Sequence, residues 1–315
     1  MLVDGIVASS LTPFSPSGEL RLDLLPAHID WLIAEGVQGL SPLGSSGEFV
    51  GLEVDDRKRV LEVVLAANAG RRHVMVGTHH YSTRTAIDLS RHAEQAGASS
   101  LLVVPPYYMH PSISQAMDHY RRLADAVRLP IVLYHNRGGT GVDLRTEHLV
   151  SLFEEGVIAG VKMSHTDPDR ICHLLQATDR RLVVYAGIDT VAFEGLCHGA
   201  HGWISGIPSI VPRAARRLYE TIALQGDLPA ARLQWRTLAP LMRLIFREHL
   251  GGGEDPNWLS IMKAAVNMIG PAVGDPLLPV QTLDAHTTRV LAAILHDLGY
   301  QVHAQAHEQV GQVQP

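Results

Sequence analysis

One lysine stands at the end of an apolar run in a chain that uses lysine sparingly. The run VIAGV leads directly into Lys162, whereas Lys58 lies in the polar segment EVDDRKRV and Lys263 is the only other lysine. A lysine amine that is taken out of water loses its proton more readily, and the neutral amine can attack a carbonyl carbon to form an imine. Lys162 is therefore a candidate nucleophile. The alternatives are a lysine that is paired with a carboxylate or one that extends to the surface.

The elements that position Lys162 follow a repeated pattern. Short apolar runs alternate with amphipathic helical patterns such as LLPAHIDWLIAEG and RTAIDLSRHAEQAG. Eight runs have the character of buried strands: Gly5–Leu11, Gly39–Leu43, His73–Gly77, Ser100–Val104, Pro130–Tyr134, Val157–Lys162, Leu182–Ala186 and Gly202–Ser205. Eight such repeats are typical of an α/β fold, the (β/α)8 TIM barrel. An open doubly wound sheet has the same local pattern, but no GxGxxG motif follows an early strand.

The strand-like runs stop in the last third of the chain. Beyond about residue 222 only helical patterns remain, in the segments LPAARLQWRTLAPLMRLIF, WLSIMKAAVNMIG and TLDAHTTRVLAAILHDLG. Gly251–Gly253 and Pro256 interrupt the first two of these patterns. We therefore predict a catalytic barrel in residues 1–222, a C-terminal helical region in residues 223–300 and a polar tail in residues 301–315.

Active sites of (β/α)8 barrels lie at the C-terminal ends of the strands. This rule places Lys162, at the end of the sixth strand, in a ring with other polar side chains. The others are Thr12, Ser45, Ser46, Glu48, Thr78, Tyr107, Tyr108, Tyr134 and Asp189. We expect Glu48 to cap a helix or to support its neighbours, and Asp189 to make local turns, as aspartate in loops often does.

The composition excludes several other classes of protein. A net charge of −6 leaves no basic footprint for nucleic acid. No apolar run is long enough to span a membrane and no signal peptide follows Met1, so we expect a cytoplasmic protein with no membrane partner. Two cysteines, Cys172 and Cys197, make neither a disulfide framework nor a metal knuckle. The 18 histidines include no HExxH motif, and we predict neither a metal nor another cofactor.

Six short motifs occur in an order that resembles a known enzyme family. They are GIVASSLTPF (5–14), LGSSGE (43–48), PPYY (105–108), LPIVLY (129–134), GVK (160–162) and GAHGWIS (199–205). Over roughly residues 3–285 the chain is similar to the dihydrodipicolinate synthase and N-acetylneuraminate lyase family of Schiff-base-forming aldolases. Each motif alone carries little information, but each lies at the barrel position that the strand pattern predicts independently.

The resemblance implies a role for several residues of the ring. Lys162 matches the imine-forming lysine, and Tyr134 matches the tyrosine whose phenol relays protons. Ser45 and Ser46 stand where the family holds the carboxylate of a 2-oxo acid, at the start of a helix where N–H donors favour an anion. Ser45 would also join the proton relay. The two serines could equally cap a helix that starts near Glu48, and the two roles are compatible.

Two further matches concern the substrate and the assembly. Ile204 matches the residue whose backbone carbonyl lies near the bound pyruvyl group. Tyr108 matches a catalytic tyrosine that in many relatives crosses a dimer interface into the neighbouring site. Family members are commonly homotetramers built as dimers of dimers, so the resemblance implies the same assembly here.

The loop after the fifth strand departs from the synthase branch of the family. The arginine with which the synthase holds the carboxylate of aspartate semialdehyde would fall at Gly139, which has no side chain for that contact. Arg137 lies two residues away and could replace it after a shift of the loop. If no arginine holds a carboxylate at this point, we expect His135 and Thr140 to hydrogen-bond the hydroxyls or the aldehyde oxygen of the substrate.

These features predict a Schiff-base-forming lyase, an aldolase or dehydratase, that acts on pyruvate or a 2-keto-3-deoxy sugar acid. The first alternative is dihydrodipicolinate synthase, which condenses pyruvate with aspartate semialdehyde. A second alternative, from a different class, is a barrel that binds a small acid without turning it over. Loss of Lys162 or Tyr134 would favour that alternative, and both residues are present.

Overall fold

A computed structural model describes residues 1–246 and 256–303 of the chain. Within these residues, eight parallel strands close into a barrel in which each strand pairs with its sequence neighbours and the last pairs with the first. The strands are β1 (Gly5–Ala8), β2 (Gly39–Leu40), β3 (His73–Gly77), β4 (Ser100–Val103), β5 (Ile131–His135), β6 (Gly160–Met163), β7 (Val183–Ala186) and β8 (Gly202–Trp203). The predicted (β/α)8 barrel is confirmed, and the open doubly wound sheet is wrong.

Helices connect the strands and pack around the outside of the barrel. They are α1 (Leu25–Ala34), α2 (Val54–Asn68), α3 (Thr83–Ala96), α4 (Ile113–Ala126), α5 (Arg137–Thr140), α6 (Thr146–Glu154), α7 (Asp169–Ala177), α8 (Ala192–Cys197), α9 (Gly206–Ile210) and α10 (Pro212–Tyr219). Helix α3 is representative, because it buries residues 86, 89, 90 and 93. Residues three and four positions apart share one face of a helix, so this face packs on the sheet.

Three C-terminal helices follow the barrel, and each coincides with a helical pattern of the sequence. They are α11 (Leu228–Ile245), α12 (Trp258–Ile269) and α13 (Ala285–Asp297). Side chains of Asp227, Asn257 and Asp284 accept hydrogen bonds from the first backbone N–H groups of these helices. The boundaries at residues 222 and 300 stay predictions. The glycines at 251–253, and the predicted polar tail from residue 304 onward, lie outside the described residues.

Two apolar layers lie on opposite sides of the strands. The outer layer fills the space between strands and helices and includes Leu133. The inner layer fills the barrel with Val7, Met75, Leu102, Val104, Val132, Tyr134, Tyr185 and Ile204. Successive residues of a strand alternate between its two faces, which is why Leu133 faces the helices and Tyr134 faces the interior. The last inward side chain of each strand therefore meets its counterparts at one end of the barrel.

The described residues can also be compared with what the composition suggests about membrane helices, metal sites and cysteines. None of the helices in these ranges has the length and apolar character needed to cross a membrane. No group of three or more His, Cys, Asp or Glu side chains within residues 1–246 and 256–303 is arranged to hold a metal ion. Both cysteines, Cys172 and Cys197, are free thiols.

Candidate active site

Lys162 and Tyr134 lie side by side on neighbouring strands at the C-terminal end of the barrel. They are direct partners in the register between β5 and β6, so both side chains point into the barrel. The Lys162 Nζ lies 3.7 Å from the centre of the Tyr134 ring. Both residues are buried, with 5% and 6% of their surface exposed. Strand pairing thus brings together the two residues that the sequence suggests as nucleophile and proton relay.

Lys162 has no carboxylate partner among the residues that the structure describes. The other two lysines have one: Lys58 pairs with Asp88 at 2.7 Å, and Lys263 pairs with Glu48 at 2.6 Å. The amine of Lys162 instead lines a cavity. The geometry therefore gives no support to a Lys162 that is held in a structural ion pair.

Several groups converge on the hydroxyl of Tyr134. Burial by itself raises the pKa of this phenol, but the charge of Lys162 and hydrogen bonds from Lys162, Ser45 and Ser164 outweigh burial and lower the pKa below its usual value. The Asn136 Nδ2 donates a longer hydrogen bond, of 3.4 Å, to the same oxygen. A phenol in such surroundings is placed to exchange a proton with a reacting group.

The space beside the Lys162 amine, which we call the Lys162 cavity, has a volume of about 410 Å³. Its polar lining comes from the barrel and consists of Ser9, Ser45, Ser46, Tyr134, Asn136, Lys162, Ser164, Asp189 and Ser205. Helices α11 and α12 add Ile245, Trp258 and Met262. Cavities of this size hold small ligands, and the convergence of polar groups would fix a ligand's orientation.

Ser45 and Ser46 lie at the rim of this cavity on a short 3-10 turn, Ser45–Gly47. The Thr12 hydroxyl donates a hydrogen bond of 2.8 Å to the carbonyl of Gly47 and so ties the turn to the loop after β1. Ser46 is 8% exposed, which leaves its hydroxyl within the cavity rather than in bulk water. The serine pair is thus positioned by two neighbouring strands of the barrel.

The helix expected near Glu48 is not one helix but two short turns. The second turn covers Phe49–Gly51, and the long helix α2 begins only at Val54. Glu48 separates the turns because it adopts a left-handed conformation, with φ of 54°, which cannot continue a right-handed helix. Neither serine caps a helix with its side chain in this arrangement.

Glu48 connects the serine turn to the C-terminal helices. One carboxylate oxygen lies 2.6 Å from the Lys263 Nζ, and the other accepts the Leu277 N–H at 2.7 Å. Lys263 also donates to the carbonyl of Asp275 at 2.8 Å. Burial lowers the pKa of Lys263, and the charge of Glu48 opposes that shift. These contacts give Glu48 a supporting function, as the sequence suggested.

Asp189 lines the Lys162 cavity, but its oxygens are used by the protein itself. The carboxylate accepts hydrogen bonds from the Ser205 hydroxyl at 3.0 Å, the Gly206 N–H at 3.1 Å and the Ile207 N–H at 3.3 Å. Burial raises the pKa of Asp189 to about 6, although these hydrogen bonds act against it. Asp189 therefore fixes the loop after β8, a structural role that it fulfils through residues 16 to 18 positions away and not through the local turn that the sequence predicts.

His135 and Arg137 do not line the Lys162 cavity, and the substrate contacts predicted for them stay predictions. Strand β5 continues through His135, and alternation turns this side chain away from Tyr134 to the outer face of the sheet. The His135 Nε2 lies 3.1 Å from the Asp143 carboxylate, and burial lowers the pKa of the imidazole to about 4. Arg137 is exposed, with its Nη1 3.8 Å from the same carboxylate.

The remaining predicted residues occupy other positions. Thr140 lines a second, adjoining cavity, with its hydroxyl donating to the Asn136 carbonyl at 2.8 Å. Ile204 packs in the apolar interior of the barrel. Tyr108 is 82% exposed in the single chain, so its role at a dimer interface stays a prediction. Thr78 accepts a hydrogen bond from Ser90 at 2.9 Å and lines neither cavity.

Sequence analysis missed several residues of the site. Ser164 and Asn136 each stand two positions after a predicted catalytic residue, and the two-residue period of a strand was a signal that could have found them. Trp258 and Met262 had no such signal, because a local helical pattern does not encode where that helix docks. The cavity wall that they form is decided by tertiary packing.

Comparison with known sequences agrees with the motifs. The profile of the Dihydrodipicolinate synthetase family matches residues 2–298. The 4-hydroxy-tetrahydrodipicolinate synthase of Azoarcus sp. (strain BH72) is 34% identical over 294 residues, which cover 93% of this chain and 98% of the relative. The protein of the same name from Rhizobium meliloti (strain 1021) is 33% identical over 299 residues, which cover 94% of this chain and 98% of the relative.

Comparison with solved structures extends this agreement to the fold. The chloride-inhibited dihydrodipicolinate synthase from Acinetobacter baumannii, complexed with pyruvate, has a TM-score of 0.84, 28% identity and coverage of 95% of this chain and 100% of its own. A prophage protein of the dihydrodipicolinic acid synthase family from E. coli K12, also in complex with pyruvate, has a TM-score of 0.87 with the same identity and coverage. The likeness spans the barrel and the C-terminal helices alike.

Proposed function

The chain belongs to the dihydrodipicolinate synthetase family, and on that premise we propose that it is an imine-forming lyase that acts on pyruvate or on a larger 2-oxo acid. The observation that carries this proposal is the Lys162 amine, which faces a cavity beside the Tyr134 phenol instead of a carboxylate. Two solved relatives are complexed with pyruvate, and a cavity of about 410 Å³ has room for a molecule of that kind.

Binding of the substrate carboxylate orients the ketone. The Ser45–Gly47 turn presents two hydroxyls to the cavity, and hydroxyl and N–H donors at a helical turn suit a carboxylate. With the carboxylate there, the adjacent carbonyl carbon of a 2-oxo acid lies toward Lys162. Holding the two reacting groups together removes much of the entropic barrier to their reaction.

The chemistry then proceeds through the lysine. Attack of the neutral Lys162 amine on the ketone gives a carbinolamine, and loss of water from it gives an iminium. The Tyr134 phenol donates its proton to the departing hydroxyl of the carbinolamine and becomes a phenolate. In a 4-hydroxy-2-oxo acid, this phenolate takes the proton of the C4 hydroxyl, the C3–C4 bond breaks, and its electrons flow into the iminium to form an enamine. An aldehyde leaves, C3 is protonated, and water releases pyruvate. The reverse sequence is an aldol condensation, and expulsion of a β-hydroxyl would be a dehydration.

Borohydride trapping tests this proposal directly. Reduction of the protein in the presence of pyruvate should convert the imine to a stable secondary amine, and the mass increase should map to the peptide that contains Lys162. Lys58 and Lys263 are internal controls in the same sample, since both are held in ion pairs. An adduct on either of them, or no adduct at all, would refute the assignment. An adduct without turnover of any 2-oxo acid would favour a non-catalytic binding protein.

Dihydrodipicolinate synthase is a second candidate, favoured by the name that the relatives share. Two features count against it: Gly139 stands where that enzyme needs an arginine, and Arg137 is exposed beside Asp143. We therefore expect weak condensation of pyruvate with aspartate semialdehyde. Efficient formation of the cyclic product, lost in Arg137→Ala, would establish the synthase instead.

We also propose a cytoplasmic homotetramer, as the family resemblance implies. The exposed side chains of Tyr108 and Met109 support an interface at this point, because large apolar side chains next to each other on a surface commonly mark a contact with another chain. Sedimentation analysis of the purified protein should give the mass of four chains. Tyr108→Ala should lower activity if the phenol reaches a neighbouring site.

A further inference from the structure

A second cavity adjoins the Lys162 cavity and has a different chemical character. This space, which we call the apolar chamber, has a volume of about 500 Å³. The two cavities share four lining residues and therefore meet at them: Ser45, Asn136, Gly139 and Trp258. We call this boundary the passage. A substrate that is bound to Lys162 and longer than pyruvate would extend through this passage.

Most of the chamber lining is hydrocarbon. Side chains of Phe49, Val104, Tyr107, Leu259, Leu277 and Val280 contribute to it. No lysine or arginine from residues 1–246 and 256–303 lines the chamber. The Lys162 cavity has polar side chains that the chamber lacks, among them Ser46, Tyr134, Lys162 and Ser164. The site is thus polar where a carboxylate and ketone react and apolar where the rest of the substrate would lie.

Two polar side chains of the chamber, Thr140 and Glu48, are engaged within the protein. The Thr140 hydroxyl donates to the Asn136 carbonyl at 2.8 Å and accepts from the Val142 N–H at 3.3 Å. The Glu48 carboxylate is held by Lys263 and by the Leu277 N–H. Hydroxyl groups of a substrate would find few partners here, and a hydroxyl buried without a partner is unfavourable.

Gly139 is one of the four passage residues and has no side chain. Its position lies beside Asn136, whose Nδ2 would be 3.0 Å from a Cβ placed on Gly139. A side chain at this position would make the Asn136 amide, which donates to the Tyr134 hydroxyl, shift by a few tenths of an ångström. A glycine here therefore leaves that contact undisturbed.

From this geometry we infer that the second component of the substrate is an uncharged, apolar aldehyde, with an aromatic ring or a branched alkyl group that fills the chamber. The inference rests on the proposed imine-forming function and narrows it. In the cleavage direction the substrate is a 4-hydroxy-2-oxo acid with the apolar group on C4. Breaking the C3–C4 bond releases the apolar aldehyde and pyruvate, with the hydroxyl proton passing to Tyr134. This replaces the polyhydroxylated sugar acid that the sequence suggested.

A panel of aldehydes tests the inference. Pyruvate is incubated with benzaldehyde, 3-methylbutanal, glyceraldehyde or aspartate semialdehyde, and the condensation products are quantified by liquid chromatography and mass spectrometry. We expect kcat/KM for benzaldehyde to exceed that for glyceraldehyde and for aspartate semialdehyde by about tenfold or more, since burial of a phenyl group is worth at least that factor. A preference for glyceraldehyde or for aspartate semialdehyde would overturn the inference.

Two variants connect the preference to the chamber. Leu277→Asn and Val280→Thr place a polar group of similar shape in the lining, and each should lower the preference for benzaldehyde over glyceraldehyde about fivefold or more. Leu233→Asn on the exposed side of α11 is the matched control and should leave the preference unchanged, because Leu233 is 63% exposed and lines neither cavity. An unchanged preference in both chamber variants would overturn the inference.

Borohydride trapping with pyruvate alone separates failure of this inference from failure of the proposed function. Trapping needs only the Lys162 cavity and no aldehyde. An adduct on Lys162 together with a polar aldehyde preference refutes the apolar chamber as a substrate site and leaves the proposed function intact. Absence of the adduct refutes the proposed function itself.

Discussion

Lys162 and Lys263 are both buried lysines, yet their surroundings differ completely. Lys162 is 5% exposed, lies against the Tyr134 ring and faces a cavity. Lys263 is 1% exposed, and its amine is held by the Glu48 carboxylate at 2.6 Å and the Asp275 carbonyl at 2.8 Å. Lys263 lines neither of the two cavities around the barrel mouth.

Burial alone therefore does not make a lysine a nucleophile. Burial lowers the pKa of Lys263, but a carboxylate beside it stabilises the ammonium and the amine has no access to a ligand. Lys162 has the opposite combination, with room for a carbonyl carbon and a phenol that can move protons. The neighbouring groups therefore make Lys162 the candidate nucleophile and Lys263 a structural ion-pair partner of Glu48.

The largest effect is expected when the Lys162 amine is replaced by a guanidinium, which tests whether Lys162 is the nucleophile. Lys162→Arg keeps a positive charge but cannot act as a nucleophile, because guanidinium stays protonated. We expect kcat to fall by about 10⁴-fold or more in steady-state assays. Lys58→Arg is the matched control and should retain activity, since Lys58 pairs with Asp88 near the surface. Substantial turnover by Lys162→Arg would contradict the assignment.

A second test concerns the phenol that distinguishes Lys162 from Lys263. Tyr134→Phe keeps the ring beside the amine and removes the hydroxyl, so kcat should fall by roughly 10²–10⁴-fold. Tyr185 is the natural control, because it pairs with Lys162 from the other neighbouring strand and its hydroxyl donates to the Val3 carbonyl at 2.7 Å. Tyr185→Phe should cost stability rather than rate. If both variants kept full rates, another group would have to relay the protons.

The role of Lys263 can be tested through the free energy of unfolding. Lys263→Met leaves the buried Glu48 carboxylate without its partner, and such a change costs about 3–5 kcal/mol of unfolding free energy. Urea unfolding followed by circular dichroism would measure it. The double variant Lys263→Met with Glu48→Gln should recover part of the loss, because the unpaired charge is gone. Lys58→Met, at a partly exposed ion pair, should change stability by no more than about 1 kcal/mol.

The smallest expected effect is on the titration of Tyr134. Burial raises the pKa of this phenol, and Lys162 is the main influence that lowers it. Removing the charge in Lys162→Met leaves only the hydrogen bonds from Ser45 and Ser164 against burial, so the pKa of Tyr134 should rise above its value in the unmodified protein. Ultraviolet difference titration would measure this, with Tyr134→Phe identifying the Tyr134 contribution. A pKa that stayed the same or fell in Lys162→Met would show that the two groups do not interact.

Strand boundaries explain which parts of the site could be predicted. Lys162 and Tyr134 were predictable because each ends an apolar run, and strand alternation then fixes the face that each side chain occupies. The orientation of His135 was not predictable, because the strand extends one residue further than the apolar run and one residue is enough to reverse the face of the sheet. The sequence predicts a helix that starts near Glu48, whereas the structure has short turns on either side of that residue, since nothing local signals the left-handed Glu48.

The amino-acid sequence specified the repeated strand–helix pattern, which is typical of a (β/α)8 barrel, and the catalytic candidates at the strand ends. Those features depend on local periodicity and on a rule that holds for all barrels of this kind. Tertiary structure decided the ion pair between Glu48 and Lys263, and the chamber beside Leu259 and Leu277. These contacts join segments more than 200 residues apart, and their formation depends on how the C-terminal helices dock on the barrel. Docking is set by shape and packing between distant surfaces, which no local pattern of residues specifies.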